Sequence, residues 1–299
     1  MRETKLYPQR WYDPILAFFF RLAASGYVPA SWFRAPIPEP QSRNAVHGIP
    51  TLEVVSHCWQ YSNMLAYQLS SFVNYPPTRL KLIVTVFYCP EDEGTSELLK
   101  FIEQNDVENV TWNWHALPKE QLFRRGIGRN RAAKSTQADW VWFTDCDIIF
   151  HQNCLDSLAN ELQGRRDVLV FPREERTTPM LARDDGMLKA GSKPQLVDIK
   201  ADNLTRFSRD RAKGAFQIVH GDVARAIGYC EGISIYQTPA DHWCKCYEDR
   251  AFRWLVGTQG TPINVDGVYQ VRHIHKGRYK QNSIWSRIRS KIRRLQEQG

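Results

Sequence analysis

Asp145 and Asp147, separated by Cys146, close the run Trp140 to Thr144, whose five residues are all aromatic or β-branched. Such a run reads as a buried strand. Unpaired carboxylates do not enter apolar surroundings cheaply. Two like charges this close also repel unless a cation lies between them. At the carboxyl end of a strand in an open α/β sheet, that cation would sit where ligands bind. The pattern therefore fits a hard divalent ion holding a diphosphate. A bare Asp-x-Asp is more often a solvated turn, so the surroundings must decide.

Three other constellations could do chemistry. Phe123-Arg124-Arg125-Gly126-Ile127-Gly128-Arg129-Asn130 precedes the strand. Its guanidinium forks suit phosphate oxygens, and its glycines let a backbone approach closely. Glu248 and Asp249 open a helical stretch. The helix dipole favours acids there without any function, but a carboxylate so placed could equally take a proton from a hydroxyl. His273 and His275 face one side of a strand and could ligate a metal. His242, Cys244 and Cys246 lack the second Cys pair that would complete a zinc site.

The elements that must position these residues follow one rhythm. Strands are expected at Leu52 to Cys58, Lys81 to Tyr88, Val110 to His115 and Trp140 to Thr144. Helical stretches at Asn63 to Asn74, Ser96 to Gln104 and Glu120 to Ala138 alternate with them, the last one breaking at Gly126 and Gly128. This alternation implies an α/β fold with a mostly parallel sheet and helices on both faces. Arg173 to Lys213 loses periodicity and reads as a loop that orders on binding. A strand at Ala215 to Val219, helices at Asp222 to Ile227 and Tyr247 to Val256, and a last strand at Tyr269 to Ile274 complete the domain. The expected organisation is an N-terminal extension and linker over 1–48, one domain over 49–280 and a tail over 281–299.

The chain of 299 residues is long enough to bury a sizeable core. Its seven cysteines are unevenly spaced, which fits a reduced, cytoplasmic protein better than a disulfide framework. The net charge of +8 is local: from Arg272 onward there are nine Lys or Arg and one acid, so the body is neutral. That argues against nucleic acid as the partner and for a local anionic one. Ile284, Trp285, Ile288, Ile292 and Leu295 form an apolar stripe among the tail's basic residues, the pattern of a helix lying on an anionic membrane. Ile15 to Ala24 is apolar but far short of a membrane span. It reads as a helix packed on the domain, or as an interfacial one dipping Phe18, Phe19 and Phe20 into lipid.

From Leu52 to about Tyr279 the chain resembles glycosyltransferases of the GT-A (Rossmann-like) fold, above all the family 2 enzymes and the β-1,4-galactosyltransferases. Phe123-x-Arg125 with Asn130 resembles their donor-nucleotide segment, and Thr144-Asp145-Cys146-Asp147 looks like their Asp-x-Asp motif. Lys213-Gly214-Ala215-Phe216, continuing to Ile227-Gly228-Tyr229, resembles the stretch that closes over donor and acceptor. Glu248-Asp249 is similar to the Glu-Asp motif of inverting members, and Val271-Arg272-His273 to the late strand whose His completes the metal shell. Where the galactosyltransferases carry a Gly- and Trp-rich run, Asp241 to Tyr247 has one Trp, Trp243.

The resemblance implies transfer of a sugar, with inversion, from a nucleotide-diphosphate donor such as a UDP-sugar to a hydroxyl of a glycan or lipid-linked acceptor. Asp147, with Asp145 and His273 or His275, would hold Mn²⁺ or Mg²⁺. Ser56, His57, Arg125, Arg129, Asn130 and Asp145 would line the nucleotide site, and Gly214 and Trp243 the acceptor site. Asp249 would be the base, with Glu248 orienting the acceptor. Two rivals stand beside this reading. A haloacid-dehalogenase-like phosphotransferase also opens on strand and Asp-x-Asp, with the first Asp as nucleophile. A binding module would keep nucleotide affinity without turnover.

Overall fold

The structure, a computed structural model, describes residues 10–181, 185–241 and 247–273. The chain opens with α1 (Asp13–Leu22) and short helical turns before β1 (Thr51–Cys58), α2 (Ser62–Asn74), β2 (Lys81–Tyr88), α3 (Glu93–Glu103) and β3 (Val110–Ala116). Two helices, α4 (Lys119–Leu122) and α5 (Arg125–Ser135), lead into β4 (Trp140–Phe143). Then come β5 (Ile148–Phe150), α6 (Cys154–Leu162), β6 (Leu169–Pro172), β7 (Glu174–Thr177), α7 (Gly186–Ala190), β8 (Thr205–Ser208) and β9 (Gln217–His220). The last elements are α8 (Gly221–Ile227), α9 (Ser234–Gln237), α10 (Glu248–Val256), β10 (Thr261–Ile263) and β11 (Val268–Gln270).

Seven strands form the central sheet in the order β10-β6-β9-β4-β1-β2-β3. All neighbours run parallel except β9, which is antiparallel to both β4 and β6. β1 lies between β2 and β4 and is buried along almost its whole length, as expected of a strand covered on both faces. β3 is an edge strand and far more open; Trp112 and Trp114 stack on one face of it. A second sheet, β5-β11-β7-β8, stands beside the first. The turn Asp145 to Asp147 joins β4 of one sheet to β5 of the other, so the two carboxylates lie where the sheets part.

Two expectations change. The helical stretch from Glu120 breaks at Phe123 and Arg124, not at the glycines, which lie inside α5. Arg173 to Lys213 is not a structureless lid, because it supplies β7, α7 and β8. Those strands have four residues each and carry Glu174, Arg176 and Arg206, too short and too charged to show a period. The described part of the N-terminal extension is docked on the domain. Trp254 donates its indole N–H to the Val28 carbonyl at 3.0 Å, and buried Arg43 donates to Pro38 O at 2.8 Å and to Arg166 O. The tail over 281–299 lies outside the described residues.

One residue of α2 ties β1 to the Asp-x-Asp turn. Gln68 has no exposed surface. Its side-chain oxygen accepts from Ser56 Oγ at 2.5 Å, and its amide donates to the carbonyls of Asp145 and Ile148, both at 2.9 Å. Replacing it with an apolar side chain of similar size takes the acceptor from the buried Ser56 hydroxyl and a donor from two carbonyls, of which that of Asp145 keeps the Ile148 N–H at 3.2 Å. We expect Gln68→Leu to lose about 2–4 kcal/mol in urea denaturation. A loss within experimental error of zero would show that the turn does not depend on this amide.

Candidate active site

The Asp145 carboxylate is held by two cations of α5. Arg125 Nη1 lies 2.5 Å and Arg129 Nη2 3.3 Å from its Oδ1. Arg125 also reaches the opposite wall, where its Nε lies 3.2 Å from Glu248 Oε1 at the start of α10. One guanidinium therefore spans Asp145 of the Asp-x-Asp turn and Glu248 of the Glu-Asp pair, 103 residues apart in sequence. The repulsion expected between Asp145 and Asp147 is relieved, at least at Asp145, by the protein's own arginines.

Arg129 has no exposed surface, so its guanidinium serves the site from beneath and does not reach a phosphate in this arrangement. It donates to Thr144 O at 3.2 Å and to Tyr229 Oη at 2.8 Å. Tyr229 in turn donates to Gln217 Oε1 at 3.0 Å, and Gln217 donates to the Asp249 carbonyl at 2.9 Å. This relay joins α5, β9 and α10. Burial pushes the Tyr229 hydroxyl well above its usual range, so it stays a donor. Its ring stacks on Phe252 of α10 with centroids 4.4 Å apart. Asn130 accepts from the Tyr229 backbone N–H at 2.8 Å and fixes the turn at Gly228.

The two glycines of α5 admit protein rather than ligand. A Cβ on Gly126 would stand 2.4 Å from the Tyr236 carbonyl oxygen, and one on Gly128 would stand 2.2 Å from His57 Nε2. Both helix positions must stay bare for Arg125 and Arg129 to come this close to β4.

Asp147 sits on the other side of the turn. Gln270 of β11 donates to its Oδ2 at 3.2 Å, and the Val271 N–H donates to its carbonyl at 2.9 Å. Farther along the same segment, His273 is buried, forms a bridge with Leu181 and meets Tyr61 edge-on at 5.3 Å. His275 and Trp243 lie outside the described residues, as do His242, Cys244 and Cys246. Among the described residues no three His, Cys, Asp or Glu side chains gather into a metal cage. A hard cation bound through a diphosphate needs none, because one or two carboxylates suffice and phosphates and water supply the rest. The donors present, Asp147 with Asp145 two residues before it, fit such an ion.

Asp249 is about 29% exposed at its side chain and lies 3.6 Å from Arg253 Nη1. Its Oδ2 accepts from the Gly214 N–H at 3.2 Å, so the loop that carries Gly214 closes onto it. Glu248 is 1% exposed and turns inward to Arg125; its Oε2 has no hydrogen-bond partner among the described residues. Ser56 and His57 are likewise buried. The Ser56 hydroxyl is spent on Gln68. The His57 ring stacks on Phe87 at 5.0 Å, and its backbone carbonyl accepts from Cys146 Sγ at 3.0 Å. Burial and the nearby Arg129 and Arg125 hold the imidazole well below its usual pKa, so it is neutral. These two residues support the turn from below.

Sequence reasoning missed Gln68, Gln217 and Gln270, and it reaches Tyr229 only as the end of the stretch Ile227-Gly228-Tyr229, without its hydrogen bonds. Amides and a phenol carry no spacing signal; only the buried charges they serve reveal them. The five cysteines described, Cys58, Cys89, Cys146, Cys154 and Cys230, are free and buried.

Residues 63–197, from α2 through the segment after α7, match the family model for glycosyl transferase family 2. No curated protein matches the sequence. Among solved structures, S. aureus TarS 1-349 is 14% identical, with 75% of this chain covered and a TM-score of 0.41. The mannosyltransferase PcManGT from Pyrobaculum calidifontis, solved with GDP-Man and Mn²⁺, is 16% identical over 88% of this chain and 69% of its own, with a TM-score of 0.43. The chain spans 57% of the length of TarS 1-349. The family 2 match runs through the Asp-x-Asp turn that the mixed seven-stranded sheet positions, and over residues 63–197 this chain is similar to glycosyl transferase family 2.

Proposed function

We propose that the chain transfers a sugar from a nucleotide-diphosphate donor, in first place a UDP-sugar, to an acceptor hydroxyl in glycan synthesis, inverting the anomeric carbon. The observation that carries this reading is the double role of Arg125, whose guanidinium meets Asp145 and Glu248 together. It sets the diphosphate side and the proton-accepting side of a reaction centre against one another.

Asp147, with help from Asp145 and His273, would hold Mn²⁺ or Mg²⁺. When bound, such an ion neutralises charge developing on the leaving diphosphate. The chain's own residues do the rest. Arg129 and Arg125 keep Asp145 ionised and its turn fixed. Glu248, buried against Arg125, positions that guanidinium at the cleft. Asp249 accepts the proton of the attacking hydroxyl, and Gly214 N–H and Arg253 hold its carboxylate in place. A haloacid-dehalogenase-like phosphotransfer needs the first Asp free to attack phosphorus. Asp145 Oδ1 is instead tied to two arginines, which disfavours that chemistry. The tail, with its apolar stripe among basic residues, supports a further contact with an anionic membrane, where a lipid-linked acceptor would lie.

A panel of UDP- and GDP-sugars, assayed for nucleoside diphosphate release with and without Mn²⁺ or Mg²⁺, tests the reading; we expect ion-dependent release from one nucleotide class. Release of inorganic phosphate from phosphomonoesters, with no turnover of any nucleotide sugar, would favour the phosphotransferase instead.

Two variants separate the roles. Calorimetry on Asp147→Ala should show metal-dependent nucleoside diphosphate binding weakened by at least about tenfold, since removing a carboxylate ligand leaves the ion without its protein anchor. Undiminished binding would remove Asp147 from the metal site. Asp249→Asn keeps the shape and the Gly214 contact but cannot take a proton. Its kcat should fall by roughly 10²–10⁴ with donor affinity nearly unchanged. A variant that keeps most of its turnover would move the base elsewhere.

A further inference from the structure

α1 carries more apolar surface than the domain covers. It buries Phe20 against Phe33 at 5.3 Å and Tyr236 at 6.4 Å, with Leu16 and Ala17 partly buried on the core. Three phenylalanines in a row cannot all face one way on a helix, and here only Phe20 is buried. Ile15, Phe18, Phe19 and Leu22, at positions i, i+3, i+4 and i+7, form the outer face and are 60, 64, 41 and 50% exposed. Trp11, Tyr27 and Trp32 flank that stripe at 83, 79 and 73% exposure. Seven of the ten large apolar residues exposed among the described residues thus lie between Trp11 and Trp32. A patch this concentrated marks an interaction surface rather than ordinary scatter.

Its composition points to one partner. The centre is Phe, Ile and Leu, and the flanks are Trp and Tyr, whose amphipathic rings settle at the boundary between lipid and water. Arg10 and Arg21 stand exposed beside it. The acid of the same helix, Asp13, is turned back onto the Arg10 backbone N–H at 2.9 Å. The charge left at the margin is therefore positive, complementary to anionic headgroups. α1 has ten residues, and no helix among those described is long and apolar enough to cross a membrane. It can only lie in the interface plane.

We propose that the outer face of α1, with Trp11, Tyr27 and Trp32, docks the protein on the surface of an anionic lipid bilayer. The surface is separate from the tail stripe and does not rest on the sugar-transfer reading. It has a consequence for that reading, because α1 and the turn after it pack on α10. The Arg21 guanidinium lies 4.8 Å from the centre of the Tyr247 ring, and Arg250 donates to Ser25 Oγ at 2.6 Å. Tyr247 directly precedes Glu248 and Asp249, so a bilayer under α1 adjoins the helix that carries the proposed base.

The test is co-sedimentation of the full-length protein with phosphatidylcholine vesicles, with and without phosphatidylglycerol. Wild type should partition onto the mixed vesicles in preference to the neutral ones. Phe18→Ser combined with Leu22→Ser should lower that partition by at least about tenfold, since two large apolar side chains lose their lipid contact. The melting temperature should hold, because both side chains are already exposed. Lipids brominated in the acyl chain should quench tryptophan fluorescence, and Trp11→Phe with Trp32→Phe should remove most of that quenching. Equal partition of wild type and the α1 variant would overturn the proposal. So would binding lost only on truncation after Gln281, or an α1 variant that breaks a dimer in sedimentation velocity while binding vesicles as before.

Discussion

A guanidinium with no exposed surface sets the terms for this site. Arg129 brings a guanidinium charge into the interior, and a buried charge without a counter-charge is expensive. Its carboxylate partner among the described contacts is Asp145. Its other contacts, the Thr144 carbonyl and the Tyr229 hydroxyl, are neutral acceptors. Asp145 must therefore stay ionised and close. That requirement fixes the turn after β4, and with it the place of Asp147. The same cation aligns Tyr229, Gln217 and the first turn of α10, so the wall that carries Asp249 is registered against the Asp-x-Asp turn through one polar relay.

The two sheets make this arrangement possible. β4 ends in the central sheet and β5 begins in the other, and Asp145 to Asp147 is the crossing between them. Each carboxylate is gripped from a different side. α5 supplies cations to Asp145, while Gln270 of β11 supplies an amide to the Asp147 carboxylate and Val271, just beyond β11, an N–H to its backbone carbonyl. Gln68 and Cys146 fasten the crossing to α2 and to the end of β1. On the proposed reading, a diphosphate would meet a carboxylate turn already in place, which is the preorganisation that electrostatic catalysis depends on.

Much of this was legible in the sequence, for physical reasons. β1, β2 and β4 are buried and parallel; β2 and β4 read as near-continuous apolar or β-branched runs, and β1 as one interrupted by Glu53, Ser56 and His57. β5, β7, β8 and β10 were not legible: they have three or four residues each, β7 and β8 are charged, and β10 contains Pro262. Asp145, Arg125 and Glu248 could be named from the order of their motifs, and the fold brings them together. Arg129 was read as facing phosphate because a sequence shows charge and not depth. Gly126 and Gly128 do permit a close approach, as the sequence implies, and what approaches them is the Tyr236 carbonyl and the His57 ring. The relay through Tyr229 and Gln217 is not legible: the sequence offers Tyr229 only within Ile227-Gly228-Tyr229, and an amide such as Gln217 carries no spacing signal.

The dependence of Arg129 on Asp145 is best tested by a double-mutant cycle read in urea denaturation. Arg129→Met breaks the pair and leaves Asp145 to Arg125 alone, and Asp145→Asn leaves the buried Arg129 without its counter-charge. Asp145 keeps part of its solvent exposure, so each single change should cost on the order of 2–4 kcal/mol, at the low end for a buried pair. The double variant should cost markedly less than the sum of the two, with a coupling of at least about 1 kcal/mol. Additive losses, or an Asp145→Asn variant as stable as wild type, would contradict the claim that the buried arginine holds the site together.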